Sequence, residues 1–259
     1  MAELTMLRAQ LRYQLILLAR NPRALITALV LPALLLALEL GRVQHLGTTQ
    51  AGMTVLAPRV AGLFVFDAAA IALMSHALTL VVAREDGVLR RWRASPLPAA
   101  TYFTAKIIVT VLAADAAGAV LVLLSVEMAK LHLSAHAVLA MLAAGTLGAL
   151  ALAAVGTAIT ALISNAQAAQ PVLMLVYLPL IFLSGSFGPT GNLPHWVVTA
   201  VSYLPVQPMI DALTRGLTGS GGTLVPAHDF AVLAAWLAGG LVASLVFFRW
   251  NPSRPRHAR

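Results

Sequence analysis

Apolar residues along this chain are gathered into long uninterrupted runs, not spaced along one face of amphipathic helices. A helix that crosses a bilayer needs about 20 mainly apolar residues. Runs near 24–40, 60–83, 107–128, 138–163, 171–187 and 230–248 meet or approach that length. They do not alternate with a period of two, as the strands of a membrane barrel would. In lipid the backbone must satisfy its own hydrogen bonds, and helices are then the remaining solution. The pattern predicts an all-α membrane protein with six transmembrane helices. The first and fifth runs are short and carry Pro32 and Pro179, where bends are expected.

Ahead of the first run, Leu4, Leu7, Leu11, Leu15 and Leu18 fall on one helical stripe, with Arg8 and Arg12 on its flank. This suits an interfacial amphipathic helix over 1–23, with a soluble amphipathic helix as the alternative. The charged region before the run is too long for a secretory signal. Residues 24–250 then form the membrane domain and 251–259 a tail. Within that domain, 188–229 is punctuated by Pro189, Pro194, Pro205, Pro208 and Pro226 and contains Trp196 and Tyr203. Such rings suit a membrane interface, so short extracellular helices on or in the outer leaflet are expected before the last span.

Composition narrows the class. The chain of 259 residues is 60% hydrophobic and 10% charged, whereas soluble domains are about 45–50% apolar and about 25% charged. The absence of cysteine excludes disulfides, thiolate metal sites and a cysteine nucleophile. A net charge of +8 raises nucleic acid as a partner, but the positions of the bases answer it. Arg8, Arg12, Arg20 and Arg23 precede the first run, while Arg84, Arg90, Arg91, Arg93 and Lys106 join the second to the third. Arg249, Arg254, Arg256 and Arg259 follow the last, and only Arg42, Arg59, Lys130 and Arg215 lie elsewhere. Cytoplasmic loops are enriched in Lys and Arg, so both termini are expected in the cytoplasm and no nucleic acid is invoked.

Ionisable side chains within a span cost about 2.5–3.5 kcal/mol near its centre. Asp67 and Asp115 are the clear cases, while Glu39 lies near a span end. The two aspartates either face a water-accessible pathway or cationic cargo, or pair with hydroxyls, His76 or Arg59 between helices. In the fourth run Gly145, Ala149, Ala153, Thr157 and Ala161 make a smooth face for close helix approach, favoured as packing within the subunit. Asn165, Gln167 and Gln170 follow in an uncharged turn that their polarity solvates. His132 and His136 have metal-compatible spacing, but Leu133 stands where a zinc peptidase needs Glu, and they read as interfacial histidines. No Gly is followed by Lys, so there is no phosphate-cradling loop, and no G-x-S-x-G occurs.

The densest charged segment, 84–98, mixes acids, bases and the apolar Val88, Leu89 and Trp92. A topological anchor needs only the bases, whereas a helix docking on a cytoplasmic partner uses all three kinds. The string Arg84-Glu85-Asp86-Gly87, then Leu89-Arg90-Arg91 and Ala94-Ser95-Pro96-Leu97-Pro98 with Tyr102 and Lys106, resembles the loop after the second span of type-2 ATP-binding cassette permeases. Those include bacterial drug and polysaccharide exporter subunits. The segment Leu183-Ser184-Gly185-Ser186-Phe187-Gly188-Pro189, with Leu193-Pro194-His195-Trp196, Leu204-Pro205 and Ala212-Leu213-Thr214-Arg215, extends the resemblance over essentially the whole chain.

The resemblance implies six spans per subunit and a pathway shared with a second permease copy or paralogue in the plasma membrane. It also implies a separate cytoplasmic ATPase that carries the ATP and magnesium, with no cofactor or catalytic residue in this chain. The coupling helix would occupy about 85–93, with contacts from Arg84, Glu85, Asp86, Gly87, Leu89, Arg90, Arg91, Trp92 and Arg93. Phe64, Phe66, Tyr177 and Phe182 would be the aromatic surface of lining helices. So little stacking area favours a hydrophobic or amphipathic small molecule such as a drug, antibiotic or lipid over a polysaccharide or glycolipid. The rivals are an intramembrane enzyme, which lacks motifs, and a non-transporting anchor or sensor for an ATPase.

Overall fold

The computed structural model describes residues 2–20, 22–43, 50–93, 98–129, 133–183, 194–219 and 226–247. Among them all regular structure is helical. The first helix, α1 (Ala2–Ala19), lies along a later one, α6 (Ala99–Ala129). The predicted leucine stripe is split by this packing: Leu7, Leu11 and Leu18 are half-buried, whereas Leu4 and Leu15 stand exposed and Gln10 turns inward. An exposed apolar flank beside Arg8 and Arg12 still suits an interface.

Helix α2 (Pro22–Val43) continues through Pro32, and α3 (Gln50–Ala69) through Pro58. A π-helical turn at Ala70–Ser75 joins α3 to α4 (His76–Glu85), so one helical rod runs where a span over 60–83 was predicted. Likewise α6 starts well before its apolar core, because Thr101, Tyr102 and Lys106 propagate the helix beyond the run of apolar residues. After α5 (Val88–Arg93) and α6 come α7 (Ala135–Ile159), capped by the Ser134 hydroxyl accepting from Ala137 N, and a 3₁₀ turn at Thr160–Leu162. Then follow α8 (Ala166–Leu183), α9 (His195–Ser202), α10 (Val206–Thr218) and α11 (Ala227–Phe247). Four described helical segments are long and apolar enough to cross a membrane: Val55–Glu85, Ala100–Glu127, Ala135–Leu162 and Ala227–Phe247. Leu29–Glu39 and Ala166–Phe182 are shorter apolar helices.

The hub is α7, packed against α11, α10, α6, α4 and the π-helical turn. Its smooth face does this work inside the subunit: Gly145, Ala149, Ala153 and Thr157 are all buried. Among the described glycines the closest backbone approach is at Gly156, where a Cβ would sit 2.8 Å from the Leu73 carbonyl oxygen of the π-helical turn. On the other side Gly240 of α11 faces the backbone of Ala154 and Val155. The Ser244 hydroxyl lies 3.1 Å from the Ala154 carbonyl, a polar tie across the same contact. The expected short helices of 188–229 are α9 and α10, and α10 sinks between α3 and α7 with Met209 and Leu213 fully buried.

Candidate coupling surface and intramembrane polar groups

Helix α4 ends because Gly87 takes the left-handed conformation, φ 68°, which L side chains rarely adopt. The Asp86 amide donates to Val82 O and the Gly87 amide to Arg84 O, which closes the end. The chain turns and α5 folds back, held by Leu89, which is fully buried in a small apolar cluster with Leu80 and Tyr102.

The two residues before this turn, buried Arg84 and exposed Glu85, both reach the connection between α7 and α8. Arg84 is only 2% exposed and donates to the carbonyls of Thr160, at 3.0 Å, and Ile163. The Thr160 carbonyl also accepts from the Ile163 amide, and a cation at these carbonyls suits the negative, C-terminal end of a helix. The Glu85 carboxylate accepts from the Ala166 amide, at 2.5 Å, at the first residue of α8. Asn165 completes that N-terminus by accepting from Ala168 N at 2.8 Å, so its polarity caps a helix as well as solvating the turn.

Of the predicted coupling residues, Glu85, Asp86, Arg90 and Arg91 are exposed. Arg84 and Leu89 are interior, Glu85 is engaged with α8, and Gly87 makes the turn. Trp92 and Arg93 complete α5, but their side chains lie outside the described residues, as do 94–97. So do Lys130, His132, 184–193 and the tail 251–259, while His136 is exposed near the start of α7.

Within the spans, Asp67 is 2% exposed and its Oδ2 has no hydrogen-bond partner among the described residues. It lies at the end of α3, directly before the π-helical turn, a feature that recurs at functional sites. Beside it the Tyr177 hydroxyl donates to the Phe66 carbonyl at 3.2 Å, and the two rings tilt together with centroids 5.7 Å apart. Tyr177 is within electrostatic reach of Asp67. Asp115 is different: its carboxylate accepts from the Thr146 hydroxyl at 2.7 Å, the interhelical hydroxyl pairing considered from sequence. Phe64 is packed against Gly118 and Gly145 between α6 and α7, and Phe182 is exposed on α8.

His76 pairs with neither aspartate. Its Nδ1 lies 3.0 Å from the Thr110 hydroxyl and its Nε2 3.0 Å from that of Thr157. Thr157 spends its proton on Ala153 O, so Nε2 donates to Thr157 and Nδ1 accepts from Thr110. The sequence reading did not anticipate the polar contacts where α10 meets α11. There Arg215, in the last turn of α10, pairs with Asp229 in the first turn of α11, each sign suited to its helix end. Trp236 Nε1 donates to Tyr203 O at 2.6 Å. Burial raises the carboxyl of Asp211 on α10 above its ordinary range, opposed by a hydrogen bond from Gln207. The one visible signal was a base closing a short helix and an acid opening the next.

Fold and site together define a multi-pass helical membrane protein with a short polar helix turned outward beyond one long span. The chain belongs to the ABC-2 type transporter family, whose model matches residues 5–217. It is thus a membrane component of an ABC transport system, and the matched domain is a transmembrane one, not a catalytic one. Members of the family normally work with an ATP-binding cassette subunit. A comparison with curated proteins finds no match.

Proposed function

We propose that the chain is the permease subunit of an ATP-driven exporter in the plasma membrane. It crosses six times with both termini in the cytoplasm, and forms the pathway with a second copy or a close paralogue. Its cargo is a hydrophobic or amphipathic small molecule, a drug, antibiotic or lipid. A separate ATPase binds ATP and magnesium and docks on α5. The observation that supports this reading best is the outward placement of Asp86, Arg90 and Arg91 on a helix that Leu89 fixes to the bundle. Mixed charges so displayed match a complementary protein surface better than a lipid anchor, which would need only the bases. ATP favours the closed ATPase pair, α5 moves with its docked partner, and the spans exchange inward for outward access. The differential affinity of ATP for the two arrangements supplies the bias.

The test is Asp86→Lys, which puts repulsive charge on the contact without touching the bonds of Arg84 or Glu85. Normal membrane levels are expected, because acids contribute little to topology. Co-purification with the ATPase and cargo-stimulated hydrolysis should fall together. Undiminished association would assign the loop to anchoring alone.

A further inference from the structure

We propose that Arg84 and Glu85 are positioning residues that deliver the movement of α5 to the connection between α7 and α8, and through it to the intramembrane polar groups. The inference rests on the reading that an ATPase docks on α5. The two side chains leave adjacent positions at the end of α4 and reach the same connection from both sides. Arg84 holds the carbonyls of Thr160 and Ile163 at the end of α7, and Glu85 holds the amide of Ala166 at the start of α8. Together they span the whole link.

Both contacts are charge-assisted, the stronger kind of protein hydrogen bond. The Gly87 turn and the buried Leu89 tie α5 to the same end of α4, so displacement of α5 pulls on both residues. The helices they grip are the ones that reach the polar interior. Helix α8 brings Tyr177 to Phe66 beside Asp67, and α7 brings Thr146 to Asp115 and Thr157 to His76. A topological anchor would need none of these attachments.

The position of Ala166 permits a clean test. It is the first residue of α8, where proline is well tolerated because its missing N–H has no intrahelical acceptor. Ala166→Pro therefore removes the donor that Glu85 binds while leaving the helix, Asn165 and the exposed face of α5 in place. Wild type, Ala166→Pro, Glu85→Ala and Glu85→Gln are reconstituted with the ATPase, and association, ATP hydrolysis and transported cargo per ATP are measured. Ala166→Pro and Glu85→Ala should bind the ATPase as wild type does and still hydrolyse ATP. Their transport per ATP should fall about tenfold or more, the order of a coupling carried by one charge-assisted contact. Glu85→Gln, which keeps the acceptor, should recover most of it. If Glu85→Ala does not reach the membrane, Ala166→Pro decides alone. A wild-type transport ratio in Ala166→Pro overturns the inference while the permease reading stands. Loss of association in both variants also overturns it, since Glu85 would then belong to the docking contact. Failure of the wild-type chain to bind the ATPase overturns the permease reading itself.

Discussion

Replacing Gly156 with alanine adds one methyl where α7 crosses the π-helical turn. That methyl would lie 2.8 Å from the carbonyl oxygen of Leu73 and 3.2 Å from its Cα. Both are backbone atoms, so no side-chain rotation relieves the contact, and the helices must part. Gly239 on α11 is the internal control, because a Cβ there meets nothing within 4 Å. Each glycine sits inside a helix, so alanine brings both variants the same gain in helix propensity, about 1 kcal/mol. The difference between them is then the overpacking cost, about 1–3 kcal/mol. At roughly 2–4 °C per kcal/mol for a chain of this size, Gly156→Ala should melt several degrees below Gly239→Ala. The assay is thermal unfolding of the detergent-purified proteins at matched protein and detergent concentration. Equal midpoints, or a higher one for Gly156→Ala, would refute the close crossing of α7 over the π-helical turn.

Two further outcomes concern the pathway and the orientation. Asp67→Asn keeps the size of the side chain and removes a buried carboxylate, so transport rate or cargo preference should change more than the amount of protein in the membrane; unchanged transport at normal expression would strike Asp67 from the pathway. In this cysteine-free chain, Arg90→Cys should react with an impermeant thiol reagent only from the cytoplasmic side and Trp196→Cys only from outside, and labelling of position 90 in intact cells would overturn the topology.

The helices were legible because a bilayer asks for a property that simple hydropathy measures, length of apolar run. Their ends were not: Pro58 and Arg59 lie within the helical rod, and Lys106 lies inside α6. Helical hydrogen bonding continues past the membrane boundary, and hydropathy stops there. The coupling loop was found by its mixed chemistry, yet the division of labour inside it was hidden. Arg84, Glu85 and Asp86 are consecutive and charged, but two of them turn toward residues 76 to 81 positions away in sequence. A change of Glu85 and Asp86 together would therefore mix loss of a helix cap with loss of a docking charge, and Asp86 alone separates them. Asp67 and Asp115 look alike in sequence. Only tertiary packing gives one a threonine hydroxyl and leaves an oxygen of the other unmet among the described residues. Phe64 carries the same aromatic label as Phe66, but the glycines of α6 and α7 that receive it are distant in sequence.

The central claim is that this chain moves cargo across a membrane at the expense of ATP hydrolysed by a partner. The direct measurement uses proteoliposomes holding the purified chain with its ATPase, loaded with ATP and magnesium outside and a fluorescent amphiphile on the same side. The account predicts accumulation of the amphiphile inside the vesicles that requires both proteins and ATP. Tight association with the ATPase and ATP turnover, with no vectorial movement of any amphiphile, lipid or glycolipid, would contradict it and make the chain a membrane anchor for that ATPase.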